Sequence, residues 1–329
     1  MKGCVLTIGL LLACCAPARA EHPRAAVIVV VGAEGTDEFG KQFRQWAGRW
    51  EEAAKKGQAE FTTIGLSAAA EKPDRALLKD RLSMLTSPSP EVVWLVLLGH
   101  GTFDGKTAKF NLRSDDITPA ELATWLKPID RPLAIIDCTS CSSPFLNELS
   151  GSSRVIVTAT RSGSEFNYAR FGDYLSSAIA NPAADLDKDE QTSLLEAFLR
   201  AAAGVKEFYA SEGRLATEHA LIDDNGDKLG TPADWFQGLK ATKSAKDGAT
   251  LDGIIANQFV LVKSSREEKL PPAVRARRDE LERELAALRQ KKSKLPEDEY
   301  FGLLEPLLIE LAKLYEQAEQ PAPAATAVP

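Results

Sequence analysis

The chain has 329 residues, of which 44% are hydrophobic, which is enough for one large domain with a substantial core and an appendage. The formal net charge is −7 and no basic stripe is interleaved with aromatic residues, so nucleic acid and anionic lipid are disfavoured as the main partner. Only two of the five cysteines lie beyond the first fifteen residues, which argues against a disulfide-stapled miniature scaffold.

Residues 1–20 have the pattern of a secretory signal. A single lysine precedes an apolar run, and the sequence ARA at 18–20 has the small-x-small pattern of a cleavage site. The run is shorter than the roughly 20 residues of a membrane-spanning helix, so no membrane span is expected. We therefore predict a cleaved signal peptide, a mature chain that starts near Glu21, and a periplasmic or secreted protein. Because "LLAC" also resembles a lipobox, the alternative is a lipoprotein anchored at Cys14.

Apolar runs typical of strands then alternate with amphipathic segments typical of helices. The predicted strands are at 25–35, 60–66, 91–101, 132–137 and 153–160, and the predicted helices are at 37–56, 72–85, 118–126, shortly after 137, and at 170–180. This alternation predicts an α/β domain over 21–264 with a doubly wound, mainly parallel sheet. Functional groups in such sheets collect at the carboxyl ends of the strands.

The composition changes from about residue 265 onward. Two amphipathic helices, broken at "KLPEDE", carry leucines on one face each: Leu281, Leu285 and Leu288 on the first, and Leu304, Leu307, Leu308 and Leu311 on the second. The pattern predicts a helical hairpin over 265–319 that packs on the α/β domain or on a second copy of the chain. Residues 320–329, "PAPAATAVP" preceded by glutamine, are predicted to be a disordered tail.

Two of the predicted strands end in residues that can carry chemistry. "LLGHGTFDG" ends the third strand with His100 and Gly101, and "PLAIIDCTSC" ends the fourth with Cys138 and Cys141. Both ends are expected at the same edge of the sheet. A lone histidine in a loop is often bonded only to backbone, so this simpler interpretation stands beside the catalytic one.

An apolar strand ending in His-Gly, followed about forty residues later by one ending in Cys, resembles the caspase–legumain class of cysteine peptidases. "VVVGAEGTDEFGKQF", "GHGTFDG" and "RVIVTATRSGSEFNYARF" are similar, in order, to motifs of the legumain-like branch. The resemblance covers roughly 25–180. It implies a caspase/hemoglobinase-like fold and an endopeptidase that acts on polypeptides through a Cys/His dyad, with no cofactor required.

The nucleophile turn departs from the family pattern, Ala-Cys-Glu-Ser-Gly-Ser. An ungapped alignment anchored on the downstream motifs places Ser140 at the nucleophile position, a shift of one residue places Cys141 there, and a third register uses Cys138. These alternatives stay open. In the cysteine registers a thiolate attacks the peptide carbonyl and His100 protonates the leaving amine, while backbone N–H groups of Gly101 and the nucleophile stabilise the oxyanion.

Two other functions compete with the peptidase. One is a catalytically inactive relative that acts as a binding or scaffold module, and the other is a thiol–disulfide protein that uses the C-T-S-C sequence.

The substrate specificity of the legumain-like peptidases does not carry over to this sequence. The arginine on the first helix that sets their specificity corresponds to Gly40 here, and Lys41 is the neighbouring cation.

Two acidic stretches follow the resembling region. "DLDKDEQTSLLE" places six residues at the spacing of a calcium loop, namely Asp185, Asp187, Asp189, Gln191, Ser193 and Glu196. Its sixth position is Glu190 rather than glycine, and the alternative is a solvated turn with a Ser193/Glu196 capping box. "TEHALIDDNGDKLG" at 217–230 contains a second Asp/Asn/Gly turn and His219, and is either part of the active-site rim or a plain polar loop.

Overall fold

The computed structural model describes residues 24–67 and 72–319. The predicted signal peptide, including Cys14, and the predicted tail lie outside the described residues. The described strands are β1 (Ala26–Val31), β2 (Glu60–Ile64), β3 (Val93–Leu98), β4 (Gly101–Phe103), β5 (Ala108–Phe110), β6 (Leu133–Asp137), β7 (Arg154–Thr158), β8 (Leu221–Asp223), β9 (Thr231–Pro232), β10 (Phe236–Gln237) and β11 (Lys240–Ala241).

The helices begin where the sequence supplies caps. The Thr36 hydroxyl accepts the Phe39 N–H at the start of the first helix, and Thr118 and Ser193 form capping boxes with Glu121 and Glu196. The described helices are α1 (Asp37–Lys56), α2 (Asp74–Ser83), α3 (Pro119–Leu126), α4 (Ser143–Leu149), α5 (Phe171–Ala178), α6 (Leu194–Ser211), α7 (Ile254–Gln258), α8 (Ser265–Lys269), α9 (Pro272–Gln290) and α10 (Glu297–Glu319). Within these residues, none of the helices is long and apolar enough to cross a membrane.

The central sheet has seven strands in the order β2-β1-β3-β6-β7-β8-β9. The first five strands in that order pair in parallel, and β8 and β9 add antiparallel pairs at one edge. β1, β3 and β6 are buried along their whole length, as expected for strands covered by helices on both faces. The predicted fold class, a mainly parallel doubly wound α/β domain with a C-terminal helical hairpin, is confirmed.

Each face of the sheet has its own apolar layer. Alternate residues of β1 point to opposite faces, so Val29 belongs to one layer and Ile28 to the other. The first layer contains Trp46 and Trp50 of α1, which are at most 1% exposed, and the second contains Leu122 of α3. Burying each large side chain contributes about 2–3 kcal/mol, so these layers hold the strand ends rigidly in place.

The C-terminal hairpin consists of α9 and α10. Leu281, Leu285 and Leu288 are buried, as predicted. On α10 the half-buried face comprises Leu304, Leu307, Leu311 and Leu314, whereas the predicted Leu308 is 43% exposed. Polar bonds tie α9 to the α/β domain, since the Gln258 amide donates to the Asp279 carbonyl at 2.9 Å. Self-association stays a prediction; the exposed apolar side chains of α10 that it would use are Phe301, Leu303, Leu308 and Ile309.

Two features of the α/β domain were not predicted from the sequence. The first is the β4–β5 hairpin inserted after β3, whose turn forms because the Asp104 carboxylate accepts the N–H groups of Lys106 and Thr107. The second is the antiparallel strand β8, which lies inside the segment interpreted as a rim or polar loop. The strands β4, β5 and β8 are each only three residues long, too short to show a period.

Candidate active site at the carboxyl edge of the sheet

The two strand ends singled out by the sequence are neighbours. β3 pairs in parallel with β6, with Leu97 opposite Asp137. His100 and the turn that follows Asp137 therefore lie at the same edge of the sheet, as the alternation of strands and helices predicts. This edge is the candidate active site.

His100 lies in an aromatic pocket. Its ring centroid is 4.9 Å from that of Phe39, 5.3 Å from that of Phe43 and 6.2 Å from that of Tyr168. Nε2 lies 3.3 Å from the carbonyl oxygen of Glu34, which can only accept, so this nitrogen carries a proton. Burial lowers the pKa of His100, and the Glu34 carbonyl opposes this only in part. The imidazole is thus mainly neutral at pH 7 and bonded to backbone.

The two cysteines of the turn occupy different environments, and both are free thiols. Cys138 belongs to the apolar layer under α1, where a Cβ on Gly172 would lie 2.9 Å from its own Cβ. Cys141 lies outside both apolar layers, yet it is only 1% exposed. Burial, together with the nearby Asp137 carboxylate, raises the pKa of each thiol, by the larger amount at Cys138. Neither environment favours a thiolate.

Ser140 is the turn residue that touches the His-Gly segment directly. Its hydroxyl donates to the Gly101 carbonyl at 3.1 Å, and it lies 3.3 Å from the Gly101 N–H as an acceptor. The two segments are in close contact, because a Cβ on Gly101 would lie 2.0 Å from the Ser140 carbonyl oxygen and 2.9 Å from the Thr139 Oγ1. Among the described residues, no hydrogen bond joins the His100 ring to the turn. The structure thus joins the Ser140 hydroxyl to the backbone of Gly101 rather than to the imidazole.

In the Cys141 register, both backbone donors expected to form an oxyanion hole already have partners. The Cys141 N–H donates to the Glu165 carbonyl at 2.9 Å, and the Gly101 N–H faces the Ser140 hydroxyl. Cys141 also has a positive φ of 58°, a left-handed conformation that aligns its N–H with the Glu165 loop. A carbonyl oxygen of a substrate would have to displace an existing hydrogen bond to bind either donor.

Asp137 is a buried charge that sequence analysis missed. It is the last residue of β6 and is fully buried; Oδ1 accepts the Thr139 N–H at 3.0 Å and the Thr139 hydroxyl at 2.6 Å, whereas Oδ2 has no hydrogen-bond partner. Burial raises the pKa of Asp137 to about 6, against the lowering effect of the Thr139 bonds. A carboxylate that ends an otherwise apolar strand was the available signal in the sequence.

The loop after β7 connects the second acidic stretch to this edge. Glu165 Oε1 lies 2.6 Å from Nδ1 of His219, and the Glu165 carbonyl holds the Cys141 N–H. Glu165 therefore contacts both His219 and the nucleophile turn, which places His219 at the rim of the candidate site. On α1, a Cβ at Gly40 would lie 1.9 Å from a Glu34 carboxylate oxygen, and Lys41 is exposed. A side chain at position 40 would therefore need the exposed Glu34 carboxylate to move.

The predicted calcium loop is only partly assembled. Carboxylate oxygens of Asp185, Asp187 and Asp189 lie within 4.8 Å of one another. The other three predicted ligands have protein partners: Gln191 bonds Asp189 and the Ser264 N–H, and Ser193 and Glu196 form the capping box. Glu190 has a φ of 71°, a left-handed conformation at the position where glycine is usual in such a loop.

Calcium at millimolar concentration is expected to raise the unfolding temperature if the three aspartates bind an ion, because a ligand of the folded state stabilises it. Replacing both Asp187 and Asp189 by asparagine should reduce the shift, as measured by differential scanning calorimetry. The matched control is Asp80→Asn, which removes an exposed carboxylate from α2. Identical calcium shifts in the parent and the double variant would leave only the solvated turn and its capping box.

Comparison with known proteins gives similarity at the level of structure only. No family model and no curated protein matches the sequence. Caspase-1 from Spodoptera frugiperda is 9% identical, with a TM-score of 0.39 over 61% of this chain and 86% of that one. The Drosophila initiator caspase Dronc is 12% identical, with a TM-score of 0.41 over 62% and 81%. Raptor from Chaetomium thermophilum is 9% identical, with a TM-score of 0.34 over 50% and 18%. Identities this low transfer no catalytic residue to this chain.

Proposed function

We propose that this chain is an exported, caspase/legumain-like domain that binds polypeptide at the carboxyl edge of its sheet without cleaving it. The observation that carries the proposal is the engagement, by protein acceptors, of the Gly101 and Cys141 N–H groups, the two oxyanion donors of the Cys141 register. A peptidase needs these donors free and aimed at the developing oxyanion. Here the same groups instead hold the turn against its neighbours.

The state of the thiols supports the same function. A cysteine nucleophile acts as a thiolate with a lowered pKa, usually beside an imidazolium or at a helix N-terminus. Burial raises the pKa of Cys141 and lowers that of His100, so both shifts oppose formation of a thiolate–imidazolium pair. The same raised pKa values argue against a thiol–disulfide function for Cys138 and Cys141.

The rim offers a surface for a polypeptide. Phe166 follows the residue whose carbonyl binds the Cys141 N–H, and its side chain is 74% exposed. The β4–β5 hairpin lies beside this loop, because a Cβ on Gly163 would lie 2.8 Å from the Phe103 ring. An exposed aromatic side chain on a loop held by a rigid sheet is suited to anchor a polypeptide, because aromatic side chains are enriched at binding surfaces.

Selection of peptides from a displayed library on the immobilised protein tests binding. The Phe166→Ala variant should bind the selected peptides about tenfold more weakly, because one aromatic anchor commonly contributes more than 1 kcal/mol. Leu215→Ala, which removes a side chain that is 91% exposed after α6, is the matched control and should bind like the parent.

Hydrolysis of the selected peptides, followed by mass spectrometry, tests the absence of catalysis. Parent, Cys141→Ala and His100→Ala proteins should leave them equally intact, and iodoacetamide should modify the two turn cysteines only after unfolding. Cleavage by the parent that disappears in both variants would establish the peptidase instead. Failure to select any peptide, or equal binding by Phe166→Ala, would contradict the binding function.

A further inference from the structure

The second Asp/Asn/Gly turn, after β8, has features that the function proposed above does not use. Asp223, Asn225 and Asp227 lie at alternate positions, the first, third and fifth of a calcium-loop pattern. Their side-chain oxygens hold the loop in successive turns: Asp223 accepts the Gly226 N–H at 3.0 Å, and Asn225 accepts the Asp227 N–H at 2.8 Å. Asp227 in turn accepts the Leu229 N–H at 2.8 Å.

The second carboxylate oxygen of Asp223 and that of Asp227 have no hydrogen-bond partner. Asp223 is 1% exposed, and its Oδ2 is buried without a hydrogen bond; Oδ2 of Asp227 is likewise buried and unpaired. Burial raises the pKa of Asp223, and although the Ser150 hydroxyl opposes this rise, Oδ2 still lacks a hydrogen-bond partner. A buried unpaired carboxylate oxygen costs several kcal/mol unless something compensates it.

The charge of this region points to a cation. The Asp227 carboxylate lies close enough to Asp223 to raise its pKa by repulsion, whereas the buried Asp224 and Asp252 already accept hydrogen bonds from backbone N–H groups and the Thr231 hydroxyl. None of the ion pairs of the described chain reaches these four residues. Lys228 is exposed, and its φ of 68° puts a non-glycine residue in the left-handed conformation at the sixth position of the pattern.

From these observations we infer that the loop 223–229 is a binding site for a hard divalent cation, Ca²⁺ by ligand type, held by carboxylate oxygens of Asp223 and Asp227 and the amide oxygen of Asn225. β8 runs antiparallel to β7, so this loop lies at the edge of the sheet opposite His100. A Cβ on Gly226 would lie 3.3 Å from the Gly151 carbonyl carbon, so the ion would fasten the loop beside the segment that enters β7.

Calorimetric titration with calcium chloride alone tests the site. The experiment uses a background in which Asp187 and Asp189 are both asparagine, so that binding at the other acidic loop does not contribute. We expect one calcium per chain in this background. Adding Asp227→Asn, which keeps the Leu229 bond through its amide oxygen, should weaken binding about tenfold or more, because affinity follows the charge of the ligands.

Two further variants make the result decisive. Asp115→Asn removes an exposed carboxylate that lies outside both acidic loops and should bind calcium like the background protein. Lys228→Gly relieves the left-handed strain and removes a positive charge, so it should tighten binding several-fold even if Asp227→Asn proves unstable. No binding in the background protein, or unchanged affinity in both Asp227→Asn and Lys228→Gly, would overturn the inference.

Discussion

Replacing Gly101 by alanine is expected to destabilise the folded protein by about 3 kcal/mol or to prevent folding. The added Cβ would lie 2.0 Å from the Ser140 carbonyl oxygen, which is backbone and cannot rotate away. β3 and β6 are both buried in the centre of the sheet, so neither strand end can retreat without opening an apolar layer. Urea denaturation at constant temperature measures the loss as a lower midpoint.

Gly48→Ala is the matched control. Gly48 lies in the interior of α1, where a Cβ would meet no atom within 4 Å. Alanine there should stabilise the protein by about 0.5–1 kcal/mol, because it restricts the unfolded chain and favours the helix. A Gly101→Ala protein with the parent's midpoint would show that the turn is not seated against the His-Gly segment.

The sequence was sufficient to predict the elements that carry strong periodic patterns. The helix predicted over 37–56 is observed as Asp37–Lys56, because an apolar stripe that includes Trp46 and Trp50 coincides with a threonine cap at its start. The parallel pairing of the central strands was predicted from their continuous apolar runs and from the helices between them. These patterns were also enough to place His100 and the cysteine turn at one edge.

What the turn does could not be predicted, because it depends on packing between distant segments. Ser140, Cys138 and Cys141 are within four positions of one another, and their different surroundings come from Gly101, α1 and the Glu165 loop respectively. None of these neighbours is close in sequence. Spacing alone predicts which residues meet at an edge, but their accessibility and hydrogen bonding decide whether they can react.

The stability of the parent protein should also report on Asp137. Burial raises its pKa from 3.8 to about 6, so the folded state binds this proton more tightly than the unfolded chain does. The penalty for burying the charge is therefore fully present above pH 6 and is relieved as the pH falls through 6 towards 4. When the pH is lowered from about 8 to about 5, protonation of this single group should therefore increase the free energy of unfolding by about 1.4 kcal/mol.

Asp137→Asn removes the titration while keeping an oxygen that can accept the Thr139 bonds. The free energy of unfolding of the variant minus that of the parent should therefore be most positive at about pH 8 and lower by about 1.4 kcal/mol at pH 5. A constant cost of burying the amide N–H groups would shift this difference equally at every pH. Asp115→Asn, at an exposed position after β5, controls for the loss of one carboxylate. Urea midpoints at four pH values give both differences. If the plots of urea midpoint against pH for the parent and for Asp137→Asn stay parallel from pH 8 to pH 5, the buried carboxyl does not titrate in this range. The prediction that burial raises its pKa to about 6 would then be wrong.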